Sequence, residues 1–190
     1  MKLKKLFTYA VALALILCTM PLTSVKSSAL SWKNFEYEID GLEVTITSYS
    51  DSASGDVEIP DRVSGLLPVT GIASSAFYCC DEITSVTIPK TVNYIESGAF
   101  YGCTALTEIN VADDNEYYCD IDGVLFDKDG EILSYYPEGR KGSYTIPDSV
   151  IFIDYSAFSE CIYLTDITIS SQIDFLSSYT FLSCSSLKAI

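Results

Sequence analysis

Ile95-Glu-Ser-Gly-Ala-Phe-Tyr-Gly-Cys103 has three near-copies in the same chain: Ile72-Ala-Ser-Ser-Ala-Phe-Tyr-Cys-Cys80, Ile153-Asp-Tyr-Ser-Ala-Phe-Ser-Glu-Cys161 and Leu176-Ser-Ser-Tyr-Thr-Phe-Leu-Ser-Cys184. The aromatic falls at Phe77, Phe100, Phe158 and Phe181. The first two are 23 residues apart, as are the last two, and the Cys positions keep the same step. Self-similarity at a fixed period of this size marks stacked supersecondary units.

A second signal runs in phase. Val57/Ile59, Val86/Ile88, Ile109/Val111, Tyr144/Ile146 and Ile167/Ile169 are apolar pairs one residue apart. Such alternation reads as a half-buried strand. Pro60, Pro89 and Pro147 follow three of these pairs. Proline there removes a ladder donor and fixes the turn out of the strand. In the repeat from Ile83, Val86 and Ile88 point inward, Pro89 turns the chain, and Val92 and Ile95 return to the core. Ala99 and Cys103 follow Ile95 in steps of four, which predicts a short helical turn with Phe100 beside it. One unit cannot bury this face alone, but stacked units bury it against each other. Each buried Phe or Ile contributes roughly 1.5–3 kcal/mol.

The pattern Ile-x-Ile-Pro-x-x-Val-x-x-Ile-x-x-x-Ala-Phe-x-x-Cys-x-x-Leu resembles the BspA-like, or Treponema pallidum-type, leucine-rich repeats of bacterial surface proteins. The resemblance runs from about Gly55 to Ile190. It implies a repeat solenoid of leucine-rich-repeat type, with a parallel β-sheet on one face and short strands and helical turns on the other. It also implies a secreted or surface protein used in adhesion and in host or matrix contact.

Two segments depart from the period. In residues 30–54, Phe35, Tyr37 and Ile39 alternate, Asp40-Gly41 turns, and Val44 and Ile46 alternate back. Asp-Gly between such runs signals a hairpin, here read as an N-terminal β-hairpin cap over the first coil's apolar edge. Phe100 to Phe158 is 58 residues, which is not a multiple of 23. The excess, at about 113–142, holds Gly123-Val124-Leu125-Phe126 and Asp127-Lys128-Asp129-Gly130. It reads as an inserted β-hairpin projecting from, or extending, one coil. Its Tyr117, Tyr118, Tyr135 and Tyr136 are candidate contacts, since tyrosine offers area with a polar tip; the alternative is that some pack on the hairpin's inner face.

The start, Met1-Lys2-Leu3-Lys4-Lys5, is basic, Leu6 to Met20 is almost wholly apolar, and Ser27-Ser28-Ala29 supplies small residues. This three-part pattern predicts a secretory signal peptide over residues 1–29. Leu17 before Cys18 does not suit a lipoprotein signal. Cleavage after Ala29 leaves 161 residues with 7 Lys and Arg against all 26 Asp and Glu, a net charge of −19. Such a chain should bind no nucleic acid, whose phosphates need Lys and Arg. No second apolar span follows, so no membrane span is expected after signal removal. The chain stops at Lys188-Ala189-Ile190, which reads as mid-repeat.

No catalytic residues are expected. The chain has no His, which removes His-based triads and His metal sites, and its carboxylates form no recognisable pair. Metal ligands are not expected either. Aligning Gly123 or Gly130 as the central glycine of an EF-hand uses Asp120 and Asp122 or Asp127 and Asp129, but both alignments lack the first ligand and the closing Glu. No CxxC pair suggests zinc, and no cofactor motif is present. Cys80, Cys103, Cys161 and Cys184 share one repeat position, so they read as a core ladder of thiols. Neighbouring coils also bring Cys80 and Cys103, or Cys161 and Cys184, within disulfide reach. Cys79 and Cys119 lie outside the pattern.

The remaining function is binding. Strand residues between core positions face outward together: Glu58, Ser85, Thr87, Glu108, Asn110, Thr145, Asp166 and Thr168. They form the candidate face toward an extracellular protein or glycan. The alternative is a structural spacer, or a fragment of a larger surface protein that presents another domain.

Overall fold

The computed structural model describes residues 30–50 and 54–188. The leader expected at residues 1–29 and the last two residues lie outside them. The described residues form a β-solenoid.

The alternating apolar pairs place the first sheet. Gly55–Glu58, Ile83–Ile88 and Glu108–Val111 pair in parallel, with Val57 opposite Val86 and Val86 opposite Ile109. All three valine and isoleucine side chains are buried, and the residues between them look outward. Further along, Gly142–Thr145 pairs in parallel with Leu164–Thr168, and Tyr144 meets Ile167. These are two separate sheets, so the outward row does not run on one continuous surface.

A second parallel ladder forms after each proline turn. Ile46 pairs with Ile72, Ile72 with Ile95, and later Leu133 with Ile153. The N-terminal strands join here. Phe35–Asp40 and Glu43–Tyr49 pair antiparallel around Asp40-Gly41, and Glu43–Tyr49 continues the ladder beside Leu67–Ile72.

The third side corrects one expectation. The limb from Ile95 to Cys103 is not a helical turn; the described residues contain no helix, and this limb is a run of tight turns. The hydrogen bonds of the equivalent limb one coil earlier, Ile72 to Cys80, show why. Alternate amides bond back three residues, as Ala76 N to Ala73 O and Tyr78 N to Ser75 O. The amides between them reach the next coil: Ser75 N to Gly98 O, Phe77 N to Ala99 O at 2.8 Å, and Cys79 N to Tyr101 O. A helix would consume all of these donors internally; the Ile72–Cys80 limb shares alternate ones with its neighbour. Residues with positive φ make the alternation possible. They recur at one register position as Cys79, Gly102, Glu160 and Ser183, and at another as Ser75, Gly98 and Ser156.

Backbone bonds from four core aromatics to the next coil mark rungs of the stack. Tyr49 N bonds Ala76 O, Phe77 N bonds Ala99 O, Tyr136 N bonds Ala157 O and Phe158 N bonds Thr180 O. Tyr49 and Tyr136 therefore stand where the other coils have phenylalanine. The 58-residue gap between Phe100 and Phe158 contains a rung at Tyr136, which divides it into steps of 36 and 22. The cysteine position of that rung is Gly139, three residues on. A Cβ there would lie 2.7 Å from Leu106 O and from the Ala105 carbonyl carbon, so only glycine fits.

The inserted hairpin, Tyr118–Ile121 with Val124–Asp127, extends the coil and does not project from it. Val124–Asp127 pairs with Ile132–Tyr135 on its other edge. Val124, Leu125 and Phe126 are all buried. Strand alternation sends Leu125 into the core that runs from Phe35 to Ile109, while Val124 and Phe126 enter the core that runs on to Ile167. One strand thus walls off two hydrophobic cores. Asn115 anchors the entry to it. Its Nδ2 donates to Pro89 O and Val92 O, and its Oδ1 accepts from Tyr117 N and Tyr118 N.

Candidate functional site

The outward residues of the first sheet form two cross-strand rows. Asp56, Ser85 and Glu108 make one; Glu58, Thr87 and Asn110 make the other. Glu58 and Glu108 are exposed, and Ser85, Thr87 and Asn110 are half-buried between neighbours. Asp56, which sequence reasoning passed over, accepts from Thr84 Oγ1 at 3.0 Å and Ser85 Oγ at 2.7 Å. These bonds hold its carboxyl below the usual carboxylate range. Thr145, Asp166 and Thr168 are exposed on the second sheet, where Thr145 lies opposite Thr168.

A groove lies beside the last strand of the first sheet, at the hairpin turn. It is lined by Thr107, Glu108, Asn110, Asp122, Gly123, Arg140 and Lys141. Arg140 Nη2 pairs with Asp122 Oδ2 at 3.0 Å, and Arg140 Nη1 donates to Asp122 O. The face is therefore acidic in its rows and carries two cations beside its edge strand.

The four hairpin tyrosines do not act together. Tyr117 is exposed. Tyr118 is half-buried, and its hydroxyl accepts from Ile95 N at 3.0 Å. Tyr135 is half-buried, and its hydroxyl donates to Phe100 O at 2.9 Å. Tyr136 is 1 % exposed and is withdrawn from the candidate contacts. Its ring fills the core because it takes the place of a repeat phenylalanine.

Six copies of the BspA type leucine rich repeat region match residues 44–127 and 140–190. The chain belongs to the BspA-type leucine-rich-repeat family. Solved structures share its architecture. A leucine-rich repeat protein from Eubacterium ventriosum is 30 % identical with TM-score 0.55, and the match covers 65 % of this chain and 32 % of that one. The leucine rich repeat protein of T. pallidum is 26 % identical with TM-score 0.53, covering 84 % and 69 %. The pneumococcal vaccine antigen PcpA shares the fold at 16 % identity, TM-score 0.54, covering 88 % and 70 %. This chain thus spans about a third of the Eubacterium ventriosum protein's length. No curated protein sequence matches it.

In the BspA-type coils the thiols extend the rung pattern. Cys103 Sγ donates to Phe77 O at 3.1 Å and Cys184 Sγ to Phe158 O at 2.9 Å, with longer contacts from Cys80 to Tyr49 O and Cys161 to Tyr136 O. Each thiol meets the carbonyl of the core aromatic one coil earlier. None of the six described cysteines forms a disulfide.

The aspartates of the supposed calcium turns have structural partners. Asp120 Oδ1 accepts from Val111 N, and Asp127 Oδ1 accepts from Glu131 N and Ile132 N. Among the described residues no group of three His, Cys, Asp or Glu could hold a metal ion.

Sequence reasoning also missed the tyrosines on the turn side. Tyr78 and Tyr101 are exposed and stack at 5.9 Å with planes 6° apart; Tyr155 and Tyr179 pair at 5.1 Å. The signal was available for the first pair, because both follow the repeat phenylalanine directly.

Proposed function

We propose that this chain is a secreted or cell-surface binding module that engages an extracellular protein or glycan through its sheet face, without catalysis. The carrying observation is the alignment of the outward rows Asp56–Ser85–Glu108 and Glu58–Thr87–Asn110 beside the groove of Asp122, Arg140 and Lys141. A solenoid holds such rows rigidly at strand spacing, so a partner meets preorganised groups and little ordering entropy opposes binding. The carboxylates suit a basic protein patch. The polar groove, with a guanidinium beside carboxylates, suits the hydroxyls of a glycan. Membership of the BspA-type family supports an extracellular setting, and the basic-apolar-small pattern of residues 1–29 supports export.

Immobilised matrix proteins and a glycan array test this with the purified chain. Saturable binding should weaken when Glu58, Glu108 and Asp166 are changed together to Ala, and should fall with salt if the charges steer it. Binding unaffected by that triple change overturns the assignment to the sheet face.

A further inference from the structure

Among the described residues, the rung after Phe100 lacks the backbone bond that closes four others. Phe100 N makes no bond to Tyr135 O among the described residues, in contrast to the equivalent bonds of Tyr49, Phe77, Tyr136 and Phe158. Side chains stand in for the missing backbone ladder. Gly102 N donates to Glu138 Oε1 at 2.9 Å instead of to a carbonyl, and Tyr135 Oη donates to Phe100 O. A pocket opens at this fault on the turn side. Its walls include Phe100, Tyr101, Tyr118, Tyr135 and Tyr155, and its ionisable groups apart from the tyrosines are Glu96, Glu138 and Asp154. No described lining residue is Lys or Arg.

Glu138 is the unusual member. It is 1 % exposed, yet Oε2 has no hydrogen-bond partner. A buried carboxylate oxygen without a donor carries a desolvation cost that a positive donor would relieve. Asp154 lies in the same pocket, more than half withdrawn from water, so burial lifts its carboxyl above the usual range. The Tyr118 hydroxyl accepts from Ile95 N, which leaves its own proton free to donate.

We infer that this tyrosine-walled acidic pocket binds a protonated primary amine, such as the end of a lysine side chain. An ammonium offers three donors and no acceptor, which matches a pocket that presents carboxylates and no cationic side chain. Aromatic walls attract a desolvated cation and accept the methylene stem of lysine. The site lies on the turn side and uses none of the sheet-face residues, so it is a second binding surface, independent of the one above.

Titration with Nα-acetyl-lysine methylamide, followed by tyrosine NMR shifts at pH about 8, tests the inference. Saturable binding is expected, and the norleucine analogue, of similar shape without charge, should not bind. Glu138→Gln and Asp154→Asn should each weaken the lysine probe roughly tenfold, as a lost charged hydrogen bond does. Acidification should weaken it as Glu96, Glu138 and Asp154 take up protons. Cadaverine and a lysine-bearing peptide then separate a free amine from a protein side chain as the source. Equal binding of the norleucine analogue, no saturation by about 20 mM, or an affinity unmoved by both substitutions overturns it. If Glu138→Gln fails to fold, Asp154→Asn decides alone. The triple sheet-face variant should bind the lysine probe unchanged, which separates failure here from failure there.

Discussion

Tyr136 stacks on Phe158 with ring centroids 4.9 Å apart and planes at 29°, the arrangement that Phe77 makes with Phe100 at 5.1 Å and 27°. A tyrosine thus serves as the core phenylalanine of an irregular coil. Tyr136→Phe should therefore cost less than about 1.5 kcal/mol, as shape-conserving core changes do. Tyr136→Ala should cost about 3–5 kcal/mol, since it empties a full aromatic site. Urea unfolding of the two variants measures the difference; equal effects would contradict the rung assignment.

The wall strand makes a directional prediction. Leu125 packs into the N-terminal core and Phe126 into the C-terminal one. Stacked units transmit stability mainly to their neighbours. Leu125→Ala should lower amide protection first in the strand Ile83–Ile88, and Phe126→Ala first in Leu164–Thr168. Hydrogen exchange read by mass spectrometry checks the pattern, and identical profiles would refute two cores.

Burial lifts the Glu138 carboxyl from 4.5 to about 7. The folded chain then holds this proton more tightly than the unfolded chain. The stabilisation is full below pH about 4.5 and declines as pH rises toward 7, by on the order of 3 kcal/mol. Asp154 is shifted in the same direction. Thermal melts from pH 4 to 8 should show a steeper decline for the native chain than for Glu138→Gln, which cannot ionise.

The left-handed positions differ in how well their residues suit them. Ser183 is exposed at φ 61°, where a side chain costs about 1–2 kcal/mol relative to glycine. Ser183→Gly should raise stability by about 0.5–1 kcal/mol after the extra chain entropy of glycine is counted. Gly102 has φ 82°, and a Cβ there would lie 3.0 Å from Cys79 Sγ and 3.1 Å from Cys79 N. Gly102→Ala should destabilise, so the two changes should move the melting temperature in opposite directions.

Thiol reactivity should follow burial. Cys79 is exposed, whereas Cys80, Cys103 and Cys161 are buried. Burial pushes the Cys103 thiol up, and the neighbouring Cys184 thiol together with burial does so for Cys161. Only the thiolate reacts. In the folded chain a maleimide should label Cys79 quickly and leave Cys80, Cys103 and Cys161 unmodified until denaturant is added. Rapid labelling of Cys103 would contradict its place in the core.

The sequence by itself determined the repeat, its 23-residue step, the inward strand residues and the family. These follow from local periodicity, because identical coils must present identical residues to be buried against each other. Phe77 and Phe100 were therefore legible at once, and so were the rows that contain Ser85 and Glu108. Only the tertiary structure decided what happens where the period fails. Tyr136 carries no local mark of a core position, since a tyrosine after another tyrosine fits a surface hairpin equally well. Its burial depends on which coil it falls beside, and that is set by the 13 residues by which the step from Phe100 to Tyr136 exceeds 23. The helical-turn expectation failed for a related reason. Spacing of four cannot reveal that half the amides bond to the next coil. The pocket at Glu138 joins residues from Ile95 to Ser159, and no short window of sequence brings their charges together.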